Sequence, residues 1–249
     1  MKKLIATILL VAGVLAAFAE TSTSTSAPGA VAEIKYPWKS SVSAGLTLTK
    51  GNSDTLLFTA SLQTQKKTPH DEYKFGVEGS YGENNSVENN KTAHAFDQYN
   101  HLFTERLFGY LRADALHDGI ADLDYRIALS PGLGYYLLKT TNTTLALEAG
   151  PGVVFERLGG LDDTYAILRL AERFEHKFHS GARVWQSVEF LPEVDKWDKF
   201  TLNAEIGIEA PVTKQLSVQA FMQDSYVNQP AAGRNDNDLK LISGIKYKF

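Results

Sequence analysis

From Trp38 to the C-terminus, apolar and polar residues alternate with a period of two, the spacing of a strand that buries one face. Leu56, Phe58, Ala60 and Leu62 alternate with Thr55, Thr59, Ser61 and Gln63; only Leu57 breaks the rule. Tyr125, Ile127, Leu129, Pro131, Leu133, Tyr135 and Leu137 alternate with Arg126, Ala128, Ser130, Gly132 and Gly134. The last run sets Leu239, Leu241, Ile245, Tyr247 and Phe249 against Lys240, Gly244, Lys246 and Lys248. The poorest match is Thr92 to Phe103, where Asp97 and His101 share a parity with Ala93, Ala95 and Tyr99. In all, the pattern predicts about twelve strands long enough to cross a bilayer; strands of soluble sandwiches are shorter, at ~5–6 residues. The apolar face is aliphatic or small mid-strand and aromatic near strand ends, as two interfacial girdles require. The predicted fold is all-β, a transmembrane antiparallel up-and-down β-barrel.

An even strand count puts both termini on one side, which export makes the periplasm. The odd-numbered connections should then be long and extracellular: Gly82 to Lys91, His117 to Asp124, Glu156 to Asp163, Pro192 to Lys199 and Val227 to Asn237, with Lys50 to Asp54 an exception. The even ones should be short turns: Thr104-Glu105-Arg106, Lys139 to Asn142, Lys177 to Gly181 and Pro211 to Gln215.

The N-terminus reads differently. Lys2 and Lys3 precede an apolar core from Leu4 to Ala17, and Ala17-Phe18-Ala19 offers small residues where a signal peptidase reads. Residues 1–19 are therefore expected to be a cleaved signal peptide. The alternative, an anchoring helix, needs about 20 apolar residues, and this run falls short. Residues 20–37, with Thr21 to Ser26 and then Pro28-Gly29, read as a flexible periplasmic leader, leaving 38–249 as the barrel.

Composition narrows the field. A net charge of −4 argues against nucleic acid as a partner, and the absence of cysteine removes disulfides and thiolate metal sites. No catalytic, cofactor-binding or metal-ligating set is predicted. Gly132-Leu133-Gly134 lacks the strand–turn–helix context of a phosphate loop; its glycines fall on the inward parity, leaving room for larger lumen side chains. Asp118, Asp122, Asp124, Asp162 and Asp163 read as solvated loop acidity more readily than a divalent-cation site, since no ligand spacing is visible. His94 or His101 with Ser130 would be the elements of a lipid hydrolase, but Ser130 reads as lumen-facing and sits in no nucleophile motif.

The inward parity is the informative one. It carries Arg112, Arg126, Arg169, Arg173 and Arg183 together with Glu148, Glu156, Glu189, Glu205 and Glu209. If the Lys177 to Gly181 turn centres on His179, Glu175 falls opposite Arg183 and Arg169 opposite Glu189. Such charges either form a constriction that passes small polar solutes or ions, or pair off and fill the barrel. Pairing predicts no strong preference for one sign of charge.

Three stretches resemble one family. Trp38 to Asp54 with its Gly51-Asn52-Ser53-Asp54 end, Arg126 followed by Pro131-Gly132-Leu133-Gly134-Tyr135, and Asp238 to Phe249 are similar to the domain-of-unknown-function 481 family. Several of its members are labelled salt-induced outer-membrane proteins. The resemblance implies an outer-membrane barrel in a Gram-negative bacterium and carries no activity. Phe249, with Tyr247 and Ile245 on its face, resembles the terminal strand that the barrel-assembly machinery recognises. The expected partners are that machinery, outer-membrane lipid, and small polar solutes or ions. The functional readings are a narrow passive channel, a non-conducting structural or stress-related envelope protein, and, least favoured, a lipid hydrolase.

Overall fold

The computed structural model describes residues 36–49, 55–230 and 236–249. The expected signal peptide, nearly all of the leader, and the first connection, 50–54, lie outside the described residues. Twelve strands follow one another: β1 (Lys39–Thr49), β2 (Thr55–Lys67), β3 (Asp71–Asn84), β4 (Val87–Leu102), β5 (Leu107–Asp118) and β6 (Leu123–Lys139); then β7 (Thr143–Leu158), β8 (Leu161–Lys177), β9 (Arg183–Pro192), β10 (Phe200–Pro211), β11 (Leu216–Val227) and β12 (Asn237–Lys248). Each pairs antiparallel with its sequence neighbours, and β1 pairs with β12 to close the barrel. The fold is the one the alternation predicts.

Extending the registers once round the circumference returns to β1 with a stagger of about 16 residues. With ~3.3 Å per residue and ~4.7 Å between strands, that stagger tilts the strands by roughly 45° and gives a backbone radius of about 12 Å. On this lattice Tyr73, Tyr99, Tyr135, Phe174 and Tyr247 fall in one ring, and Tyr81, Tyr125, Phe155, Phe200 and Tyr226 in a second, roughly 20 Å away. Neighbours within the rings touch: Tyr73 and Tyr99 have centroids 4.8 Å apart, and Phe200 and Tyr226 5.9 Å. Between the rings, large apolar side chains stand exposed, among them Leu241 (64%), Leu133 (58%) and Leu111 (54%). A surface of this kind suits lipid, because water would penalise each of those side chains by ~1.5–3 kcal/mol.

β4 is a continuous strand despite its poor pattern, with one register shift near its start, at Asn89. Gln98, Asn100 and Leu102 are buried inward, while Asp97 and His101 stand exposed on the outward parity. The connections, by contrast, differ from expectation. Gly82 to Lys91 is largely strand, closed at Asn85-Ser86; Glu156 to Asp163 is likewise closed at Gly159-Gly160. All four turn residues have positive φ, the conformation of tight hairpin turns whose twist matches the strands. Asn, Gly and charged residues that look like loop in sequence therefore continue the ladders beyond the upper ring. Among the connections on that side whose residues are all described, 193–199 is the longer one that remains.

The opposite end has short turns built alike. The hydroxyls of Thr68, Thr104, Thr140 and Thr213 each accept the backbone N–H three residues on, at 2.9 Å in every case. The same threonine donates its own N–H to that residue's carbonyl. The fifth turn, Phe178 to Ala182, instead places Gly181 at φ 84°. The closing seam is the shortest ladder: β1 and β12 pair from Ser41 to Gly45, whereas β1 and β2 pair from Lys39 to Thr49.

Candidate functional site

The lumen is where chemistry gathers, because inward side chains share a space that lipid cannot enter. Glycines make that packing possible. A Cβ on Gly134 would run into the ring of Phe108, and one on Gly207 into the indole of Trp185. The large lumen side chains thus lie flat over glycines of the adjacent strand, filling space beside the wall.

Arg112, Glu148, Arg169, Arg173 and Glu189 converge on one wall built by β4 to β9. Arg112 forks onto Asp114, Nε to Oδ2 at 2.7 Å and Nη2 to Oδ1 at 2.6 Å, and donates Nη1 to Gln98 Oε1 at 3.1 Å. Gln98 Nε2 passes the chain to Glu148 Oε1 at 3.0 Å. Arg169 is 1% exposed; it donates Nη1 to Glu148 Oε2 at 2.8 Å and Nε to Glu189 Oε1 at 2.6 Å. Arg173 adds an ion pair, Nε to Glu148 Oε1 at 3.4 Å. Fixed guanidinium forks and carboxylates at charge-assisted distances make this wall rigid as well as polar.

A second network occupies the end that carries the C-terminus. Arg183 donates Nη1 to Glu175 at 2.9 Å and Nη2 to Glu209 at 3.0 Å, with its guanidinium 4.5 Å from the Trp185 ring centroid. Lys246 and Lys248 also reach Glu209, so two lysines of the last strand are fastened to β10. At the far end Arg126 Nε donates to Glu156 Oε2 at 2.7 Å, and Tyr165 to the same oxygen at 3.2 Å.

Several expectations need correction. The β8–β9 register sets Lys177 opposite Arg183 and Glu175 opposite Trp185, two residues from the pairing that centres on His179. The cause is Gly181, whose left-handed conformation moves the centre of the turn to Ser180. The ion pairs Glu175–Arg183 and Arg169–Glu189 still form, but diagonally, since long side chains span the diagonal of an antiparallel pair. Glu205 accepts from neutral donors, Trp185 Nε1 at 2.5 Å and Gln223 Nε2 at 3.0 Å.

Nor is the lumen polar throughout. Leu102, Phe108, Tyr110, Tyr136 and Ala146 form a buried apolar cluster inside the barrel, near the end with the threonine turns. Tyr136 Oη caps it by donating to Glu72 at 2.6 Å. Sequence reasoning placed Asp114 on the inward parity without giving it a role, and passed over Gln98, Glu72 and Tyr136. Parity on β3, β5 and β6 places Glu72, Asp114 and Tyr136 inward, and Gln98 follows once β4 is accepted as a strand, so the signal was present.

His94, His101 and Ser130 are not drawn into one set. His94 faces the lumen and pairs with Asp114 at 3.3 Å, His101 stands outward against Asp71 at 3.0 Å, and Ser130 is buried on β6. Among the acidic loop residues, Asp124 and Asp162 both contact Arg157, and Asp118 caps the N–H groups of Ile120 and Ala121. Among the described residues, no three His, Asp or Glu side chains gather as a metal site would need. A concavity of ≈ 520 Å³ exists, but most of its lining, including Leu133, Leu147, Leu170 and Phe190, belongs to the outward face.

Comparison with solved structures returns barrels. The NanC porin aligns over 84% of this chain and 100% of its own with a TM-score of 0.53 at 8% identity. The KdgM porin aligns over 84% and 99% with a TM-score of 0.47 at 10% identity. The translocator domain of the autotransporter NalP from Neisseria meningitidis aligns over 85% and 87% with a TM-score of 0.45 at 13% identity. At such identities the NanC likeness shows the fold alone. No curated protein matches the chain. The profile of the family described as "Protein of unknown function, DUF481" matches residues 42–249, essentially the whole barrel, and the chain belongs to that family.

Proposed function

We propose that this chain is an outer-membrane barrel that provides a narrow, passive route for small polar solutes or ions. Both termini face the periplasm, and export uses the N-terminal signal. The observation that carries the reading is the lumen itself: a closed twelve-stranded wall whose interior is lined by fixed, hydrogen-bonded charges. Such a lining would replace part of the hydration shell of a polar solute, which an apolar bore could not do. Most of these charges neutralise one another, so strong selection by sign is not expected. The machinery that assembles such barrels would engage the final strand, ending at Phe249.

One observation favours a second reading, a non-conducting structural protein of the envelope. The apolar cluster around Phe108 and the buried Arg169–Glu148 pair fill part of the bore. Barrels of this size lie between filled eight-stranded and open sixteen-stranded ones, so strand number does not choose.

Planar-bilayer recording of the refolded protein separates the two. Discrete current steps that change in an Arg169→Ala, Arg173→Ala double variant are expected, with heat-modifiable gel mobility verifying that the variant is folded. A folded wild-type protein that stays silent would move the assignment to the structural reading. Protease accessibility of 228–236 from outside intact cells tests the orientation.

A further inference from the structure

Two cations in the lumen stand apart from the pairing pattern. Lys74 lies just inside the start of β3 and Arg173 just inside the end of β8, so both project near the threonine-turn end of the barrel. Their strands are five apart in a ring of twelve, nearly opposite across the bore. Among the described residues, Lys74 has no ion pair within 4 Å, and its register partners are the neutral Gln65 and Gln98. Arg173 touches Glu148 through Nε alone, at a geometry that makes no hydrogen bond, and its register partners are Ala146 and Ser187. The carboxylates on the facing wall are Glu148 of β7 and Glu175 of β8.

Neither of those carboxylates is available to Lys74. Glu148 Oε1 accepts from Gln98 and Oε2 from Arg169, while Glu175 is held by Arg183 at 2.9 Å and Lys177 at 3.1 Å. Followed round the barrel through the registers, Lys74 and Arg173 stand at one level on facing walls, where like charges repel, and among the described residues no carboxylate pairs with Lys74 to relieve it. A bound anion would. An ammonium and the free Nη groups of a guanidinium together suit a small group bearing two or three oxygens, because the planar fork takes two oxygens and the ammonium a third.

We propose that Lys74 and Arg173 form an oxyanion seat across the lumen, taking a small carboxylate or inorganic phosphate. The seat deepens the channel reading by naming the solute class that pauses at the narrowing, yet it can be tested without conduction. Calorimetric titration of the folded barrel in detergent, at low ionic strength, uses sodium phosphate and sodium acetate as probes. Saturable binding of one or both is expected, weakened about two- to fivefold or more in Lys74→Gln, the size of one partly solvated charge pair, and largely retained in Lys74→Arg. Bilayer recording supplies the second readout: phosphate should reduce chloride current through the wild type and leave Lys74→Gln little affected. Binding by a silent barrel would sink the channel and keep the seat. Current with neither binding nor phosphate block would remove the seat and keep the channel. Binding equal in wild type and Lys74→Gln would place the anion elsewhere and overturn the assignment.

Discussion

At the residue scale, what decides the interior is which side chains lie flat and which reach. Phe108 rests on Gly134 and Trp185 on Gly207, so these glycines define how far the wall side chains intrude. Gly134→Ala should therefore cost about 1–3 kcal/mol in denaturant unfolding from liposomes, since the displaced Phe108 is fully buried in the apolar cluster. An unchanged midpoint would mean the ring has room to move. The charged residues reach instead. Period-two parity made Arg112, Arg169, Glu148 and Glu209 legible as inward from sequence, because a strand leaves no other choice of face. Who meets whom was less legible. Gln98 relays between Arg112 and Glu148, and Trp185 rather than a cation serves Glu205; such partners depend on register and reach, which alternation does not encode.

At the element scale, β4 is the instructive strand. Its outward face carries Asp97 one step from the Tyr99 ring, and that carboxylate together with His101 spoiled the apolar parity. In register it sits between Phe75 and Ala113, where lipid is expected outside. Replacing it should help: Asp97→Leu is expected to raise the unfolding free energy in bilayers by about 1–2 kcal/mol. A drop instead would show that Asp97 has a partner in the membrane. The short turns at 104–106, 139–142 and 211–215 were read as turns, but the threonine they share with Thr68 was not. Thr68, Thr104, Thr140 and Thr213 each stand three residues before a strand resumes, a repeat visible in sequence once the hydroxyl-to-amide bond is known. Thr104→Val, which keeps the shape and removes the acceptor, should cost about 1 kcal/mol in the same unfolding assay. The long hairpins escaped because Asn85-Ser86 and Gly159-Gly160 are loop-like residues serving as two-residue turns between extended ladders.

At the scale of the whole molecule, closure was fully legible and width was not. An even set of long amphipathic strands has only one way to hide its edges in lipid, which is to join the last to the first. Stagger, and with it radius, follows from the sum of many registers, and two residues of slip at Gly181 alone would change it. The ladder that completes the ring is also its weakest. With the β1–β12 ladder running only from Ser41 to Gly45, extended by the Ser40–Phe249 backbone bonds, the barrel resembles a sleeve whose zip is the last tooth-row to engage and the first to part. Its mechanical lifetime would then be set there, whatever the strength of the other ladders. The chain has no cysteine of its own, so a clasp can be added cleanly across Ser41 and Lys248, which face each other in that ladder. Oxidising a Ser41→Cys, Lys248→Cys variant should slow unfolding markedly relative to the same variant reduced, with a gain of about 2–4 kcal/mol. If oxidation leaves the unfolding rate unchanged, the ring opens at another joint.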